Sequence, residues 1–163
     1  SGSIDLLMAL AVILAGLATA VAGPVAFVAF LSGPISRALT GGRTRLVPAA
    51  LVGATLWAHA FKLLVNRPRP DPLVALIDLP ADMSYPSAHT LQVGAFVLAW
   101  MLCPNLRCHT VTAIALLLMA LLVGISRLYL QVHFASDVMF GAAAAVLWVL
   151  ALRSLPIWKE RTA

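Results

Sequence analysis

Charge is what this chain has least of. Only 10% of its 163 residues are Asp, Glu, Lys or Arg, whereas 62% are hydrophobic. A soluble domain carries about 25% charged and about 45–50% apolar residues. A soluble globular domain and a disordered chain are therefore excluded, and the mean hydropathy of +0.99 agrees. Cysteine is nearly absent too. Two thiols, Cys103 and Cys108, cannot frame a disulfide scaffold. With His109 they offer three candidate metal ligands but no further pair to complete a site, so they read as incidental thiols at a helix end, and no metal or cofactor is expected. Aromatics make up 7%. Leu, Ala and Val carry the apolar excess without polar–apolar alternation, which argues against a transmembrane barrel. The net charge of +5 is scattered, with no basic run or basic helix face, so nucleic acid is not an expected partner.

What is present is a series of long apolar stretches. A spanning helix needs about 20 mostly apolar residues. Five stretches qualify: Ile4–Leu31, Val47–Val65, Ser87–Cys103, Thr110–Leu128 and Ala135–Leu155. The first contains Gly23-Pro24, which either kinks one helix or turns a hairpin, so the count is five or six. Ser1-Gly2-Ser3 reads as the remnant of an appended tag, and Ile4 onward lacks the basic start and cleavage site of a signal peptide. With no repeat, low-complexity tract or linker, residues 1–163 read as one membrane-embedded domain, an all-α polytopic bundle whose oligomeric state stays open.

The connections sort into two faces. One carries Arg37, Arg43, Arg45, Arg107, Arg153, Lys159 and Arg161 against Glu160 alone. On the other, Lys62, Arg67, Arg69 and Arg127 balance Asp71, Asp78, Asp82 and Asp137. Excess Lys and Arg marks the first face as cytoplasmic and the second as extracytoplasmic, at the inner (plasma) membrane. The second face also holds the long loop Asn66–Tyr85, of a length that is often functional.

Three polar clusters lie at span ends on that second face: Lys62 to Pro70, Pro86-Ser87-Ala88-His89, and Ser126-Arg127 to His133 and Asp137. Each alone has a bland reading, such as a snorkelling base, a helix start or a satisfied histidine. Together they bring cations, two histidines and a carboxylate to one place. Converging cations need an anion, and phosphate suits Lys and bidentate Arg. The helix opened by Pro86 and Ser87 adds amides at Ser87, Ala88 and His89 that can face an anion. His133 and Asp137 are four apart, which on a helix puts them on one face, with the carboxylate orienting the imidazole. A histidine so held is a nucleophile or base, and His89 remains as a proton donor. Residue chemistry alone does not choose which histidine attacks, although the His133–Asp137 spacing favours His133. Arg67 is a candidate for a second phosphate or for headgroups. His59, one turn before Lys62, reads as structural, Tyr129 and Gln131 as pocket-shaping, and the four tryptophans as packing or interfacial anchors.

The order Lys62-x6-Arg69-Pro70, Pro86-Ser87-Ala88-His89, Ser126-Arg127-x5-His133-x3-Asp137 resembles the three-part signature of the type 2 phosphatidic acid phosphatase superfamily. Ala88 replaces the more usual Gly, and the usual membrane-bound core has six spans. The resemblance implies metal-independent hydrolysis of a phosphomonoester or diphosphate through a phosphohistidine. It implies His133 as nucleophile, Asp137 as its orienting partner and His89 as acid and then base. Lys62, Arg69, Ser87 and Arg127 would hold the phosphate. The expected substrate is a lipid phosphate in the bilayer: a polyprenyl (di)phosphate, phosphatidylglycerol phosphate, phosphatidic acid or a lipid A phosphate. A lipid-to-lipid phosphotransferase would use the same intermediate. A non-enzymatic lipid binder would not need two histidines, and the soluble vanadium haloperoxidases that share the signature are excluded by hydropathy.

Overall fold

The computed structural model describes residues 46–71, 76–103 and 110–155. Four helices account for most of them: α1 (Leu46–Val65), α2 (Ala88–Met101), α3 (Thr110–Tyr129) and α4 (Ala135–Ser154). Among the described residues there is no strand. The sequence expectations for these four stretches fall within two residues of the observed helix ends. The stretch Ile4–Leu31 and the bases Arg37, Arg43, Arg45, Arg107, Lys159 and Arg161 lie outside the described residues.

Helices α1, α3 and α4 each have 20 residues and are apolar enough to cross a membrane. Helix α2, expected as a span from Ser87 to Cys103, has 14 helical residues. Ser87 serves as its N-cap, and at the other end the Leu102 amide closes on the Leu98 carbonyl at 2.9 Å. It is also the central element, packing against α4, α1 and, less extensively, α3.

Small residues set how close these helices come. Ala50, Ala54 and Ala58 on α1, Ala95 and Ala99 on α2, and Ala145 on α4 are fully buried, interleaved with Leu51, Leu91 and Val149. The spacing of four places each set on one helix face. Hydrocarbon offers no hydrophobic drive between helices, so close packing of small side chains is what joins them. Trp148 lies over Gly53 and donates its indole N–H to the Ala50 carbonyl at 3.0 Å. It is a packing residue, as Trp100 is against Phe96. Helix α3 buries only Gly124 among its residues and turns Leu117, Leu118, Leu121 and Leu122 outward, as a lipid-facing helix does.

At Gly141 the contact is with backbone: a Cβ there would stand 2.9 Å from the Ser87 carbonyl oxygen. That contact seats the start of α2 against the first turns of α4. The result is that the C-terminal ends of α1 and α3 and the N-terminal ends of α2 and α4 meet, and the three polar clusters lie there, the third running from the end of α3 to the start of α4.

Candidate active site

Two left-handed residues fold the polar segments inward. Asn66 (φ 49°) follows α1, its amide closing on the Lys62 carbonyl at 3.0 Å, and the chain turns back so that Arg67 and Arg69 approach the bundle end. Asn is among the few side chains that tolerate this region. Gln131 (φ 56°) does the same after α3, its amide donating to the Leu128 carbonyl at 2.9 Å. The Val132 amide then reaches the Arg127 carbonyl at 3.3 Å, which delivers His133 beside Arg69.

Asp137 is the fixed point. It is fully buried and sits in the first turn of α4, where its Oδ2 accepts the Phe134 amide at 2.9 Å and so caps the helix. Oδ2 also accepts the hydroxyl of the buried Ser84, and Oδ1 accepts Arg67 Nη1 at 2.8 Å. The Asp137 carbonyl accepts the Ser87 amide at 3.1 Å. His133 Nδ1 lies 3.6 Å from Oδ2 and has no hydrogen-bond partner of its own among the described residues. The two residues are close, but not for the reason given by their spacing. His133 precedes α4 rather than belonging to it, and the Phe134 turn, not helical periodicity, brings its ring to the carboxylate.

The cations are arranged around His133. Arg69 donates from Nη1 to the Val132 carbonyl at 2.7 Å, and the same nitrogen lies 3.5 Å from His133 Nε2. Arg69 Nε donates to the carbonyls of Pro80 and Asp82, at 3.1 and 2.9 Å. Lys62, although a cation, is buried. It donates to the Met83 carbonyl and pairs with Asp82 Oδ2 at 2.9 Å, while Asp82 Oδ1 accepts Arg69 Nη2. Burial opposes ionisation of Asp82, but hydrogen bonds and charge from Lys62 and Arg69 outweigh it and hold the carboxyl below its ordinary value. His133 is pushed the other way. Desolvation and the charges of Arg69 and Lys62 lower it to about 4 against the pull of Asp137, leaving a neutral imidazole at pH 7.

Ser87 is fully buried and its Oγ accepts the Thr90 hydroxyl at 3.0 Å. Of the expected trio of amides, that of Ser87 is committed to the Asp137 carbonyl, which leaves those of Ala88 and His89. His89, one residue into α2, lies within electrostatic reach of Arg127, Asp82, Lys62 and Arg69. Arg127, on the last turn of α3, donates from Nε to Ser126 Oγ at 3.1 Å and is in no ion pair among the described residues.

The seven expected site residues, Lys62, Arg69, Ser87, His89, Arg127, His133 and Asp137, therefore lie at one end of the bundle. Arg67 is turned to the Asp137 side. Its Nη1 bridges Asp137 and Ser136 Oγ, both at 2.8 Å, and its guanidinium covers the Phe134 ring at 4.0 Å. His59 bonds the Thr55 carbonyl at 2.8 Å, a structural contact, and the Tyr129 ring is largely exposed. Sequence reasoning missed Ser84 and Asp82. The loop holding them was marked by its length, but no periodicity or spacing singles out those two positions. Cys103 is buried at the end of α2, and its possible partners Cys108 and His109 lie outside the described residues.

Comparison with known proteins gives the same signature a family. A model of the PAP2 superfamily matches residues 43–161. A model of the FecCD transport family matches residues 4–70, a segment that ends before Ser87, His89, Arg127, His133 and Asp137. No curated protein matches the chain. Among solved structures, a transmembrane PAP2-type phosphatidylglycerolphosphate phosphatase from Bacillus subtilis is similar, with 27% identity, a TM-score of 0.61 and coverage of 72% of this chain. This chain spans 61% of that protein's length. The superfamily match begins before α1, ends beyond α4 and encloses every residue gathered at the site, and on that extent the chain belongs to the PAP2 superfamily.

Proposed function

We propose that the chain is an integral-membrane lipid phosphatase, a single membrane-embedded domain that hydrolyses a lipid phosphomonoester or diphosphate through a phosphohistidine. The observation that carries this is the placement of His133: a neutral ring with Nδ1 turned to a buried, triply held carboxylate and Nε2 beside Arg69. At 3.6 Å this pair is longer than a hydrogen bond; drawn in as substrate binds, Asp137 would keep the proton on Nδ1 and leave the Nε2 lone pair to attack phosphorus.

Lys62, Arg69, Arg127, Ser87 and the first amides of α2 then hold the non-bridging oxygens, where negative charge is spread in the transition state. As the N–P bond forms the ester P–O bond breaks, and its electron pair leaves on oxygen, which takes a proton from His89. The departing alcohol makes room for water. His89, now neutral, accepts a proton as that water attacks phosphorus, the N–P bond breaks, and inorganic phosphate departs. The charge now stabilised by Lys and Arg is what a metal would otherwise neutralise, so turnover should survive excess EDTA.

The similarity to a phosphatidylglycerolphosphate phosphatase makes that lipid the first substrate to try, followed by polyprenyl (di)phosphates, phosphatidic acid and lipid A phosphates. The one-sided base excess supports a site on the extracytoplasmic side of the plasma membrane. The test is rapid-quench trapping of acid-labile phosphoenzyme. His133→Asn should form none from any substrate. His89→Asn should form it from p-nitrophenyl phosphate, whose leaving group needs no proton, but slowly from a lipid monoester, with a loss of roughly 10²–10⁴-fold. Phosphoenzyme in His133→Asn would overturn the assignment. Label found on a second lipid instead of in free phosphate would make the enzyme a phosphotransferase.

A further inference from the structure

Asp82 stands where the proposed function puts substrate charge. One carboxylate oxygen takes Lys62 Nζ at 2.9 Å and the other takes Arg69 Nη2, so the two cations nearest His133 are bridged by an internal anion. This carboxylate is not locked in. The Asp82 side chain is 56% exposed, whereas those of Lys62 and Arg69 are only 7% and 9% exposed. A cavity of about 290 Å³ lined by Arg69, Pro70, Asp71, Ala81 and Met83 adjoins it, giving the side chain somewhere to go. The cations also have other anchors: Lys62 holds the Met83 carbonyl, and Arg69 holds Val132 and Pro80. They remain in position when the carboxylate leaves.

We infer that Asp82 is a specificity-determining residue, an internal counter-anion that a phosphomonoester displaces and a phosphodiester does not. The inference rests on the phosphate-binding roles proposed for Lys62 and Arg69. A membrane site built of bare cations would face a bilayer crowded with phosphodiester headgroups, each carrying one negative charge. Exchanging the Asp82 carboxylate for such a headgroup replaces one unit charge by another, with nothing gained. A terminal phosphate carries about −1.5 to −2 at pH 7 and offers three acceptor oxygens, so it gains both charge and hydrogen bonds in the exchange. The same carboxylate lowers affinity for every ligand by the fraction of time it occupies the cations; if it does so nine-tenths of the time, the reduction is roughly tenfold.

Equilibrium binding of radiolabelled orthophosphate in uncharged detergent reads this directly, with all proteins carrying His133→Asn so that no turnover intervenes. Adding Asp82→Asn should tighten orthophosphate binding roughly tenfold. It should also let phosphatidylglycerol in mixed micelles displace the label, which should not happen with Asp82 present. Asp82→Ser should behave likewise, and Asp82→Glu should bind as the parent does, which separates charge from packing. Unchanged or weaker orthophosphate binding in both neutral variants, or phosphatidylglycerol that still does not compete, would overturn the inference. Arg69→Gln separates the two readings: if orthophosphate binding survives it undiminished, the phosphate site itself has been misassigned, whereas loss there with no gain in Asp82→Asn refutes only the role of Asp82.

Discussion

Replacing Arg67 by alanine should unfasten Asp137, and its effect can be worked from the contacts. At 2.8 Å the Arg67–Asp137 pair has a gross attraction of about 6 kcal/mol at an effective dielectric near 20. Breaking a buried pair typically costs about 3–5 kcal/mol, because one charge is left without its partner. Two features reduce that here. The Arg67 side chain is 34% exposed, so water enters when it is removed. Asp137 also keeps the Ser84 hydroxyl and the Phe134 amide. Loss of the stacking on Phe134 adds about 0.5–1 kcal/mol. A net loss near 2 kcal/mol follows, which for a chain of this size is a fall of roughly 4–8 °C in Tm.

The kinetic consequence is more diagnostic. Arg67 touches the carboxylate proposed to orient His133, not the groups proposed to hold phosphate. Its removal should lower kcat by roughly 10–100-fold through misorientation while KM moves little. Arg67→Lys should recover part of both losses, since an ammonium restores the charge but cannot reach Asp137 and Ser136 with one planar fork while covering Phe134. Thermal unfolding in detergent and initial rates over a range of substrate concentrations are the assays. A KM raised tenfold or more with Tm unchanged would refute the reasoning and return Arg67 to the role of a second phosphate contact.

Other outcomes follow from the same contacts. His133 has a folded value near 4 against an ordinary 6.5, so the unfolded chain binds the extra proton between those values. Stability from His133 should therefore be complete above about pH 6.5 and lost as pH falls towards 4, and His133→Asn should flatten that limb of the Tm-versus-pH curve. Gly141→Ala would press a methyl against the Ser87 carbonyl, a backbone atom that cannot swing aside. Overpacking of about 1–3 kcal/mol and a drop in kcat of tenfold or more are expected, against a smaller effect for Gly124→Ala, whose neighbour is a Val138 methyl. Asp78 is exposed on the polar loop, so with the native cysteines replaced, Asp78→Cys should react with an impermeant maleimide in intact cells. Labelling only after lysis would put the site on the cytoplasmic side.

Most of the helical frame could be read from the sequence because lipid imposes a length on apolar stretches and a cost on charges inside them. Those two constraints fix the ends of α1, α3 and α4 to within two residues. The signature was legible for a related reason: cations and histidines at span ends have few neutral explanations once several coincide. What escaped lies in the loop between Asn66 and Tyr85. Loop backbone has no period, so nothing in the order of residues 66–85 says that Ser84 reaches 53 positions forward to Asp137 or that Asp82 folds onto Lys62. The His133–Asp137 pairing was found by an argument from helical spacing that the structure replaces. Phe134 sits between the two as the helix cap, and the carboxylate that faces the imidazole is also the one that caps α4.

That double duty explains how this end of the bundle can hold so many charges. Four cations, Lys62, Arg67, Arg69 and Arg127, meet two carboxylates, and the pairing is divided. Asp137 is fully buried, held by Arg67, Ser84 and a backbone amide, and belongs to the scaffold. Asp82 is half in water and held by side chains that have other acceptors. A permanent counter-anion against Lys62 and Arg69 would leave no charge for the proposed substrate, and none at all would leave a buried lysine with a backbone carbonyl but no counter-charge, which costs several kcal/mol. A displaceable one meets both demands. With Asp82 in place the four cations and two carboxylates leave an excess of two positive charges. With it swung aside the local excess rises by one as a terminal phosphate brings up to two negative charges in. Arg127, in no ion pair among the described residues, is then the cation left over for the extra negative charge that the proposed phosphoryl group would bring.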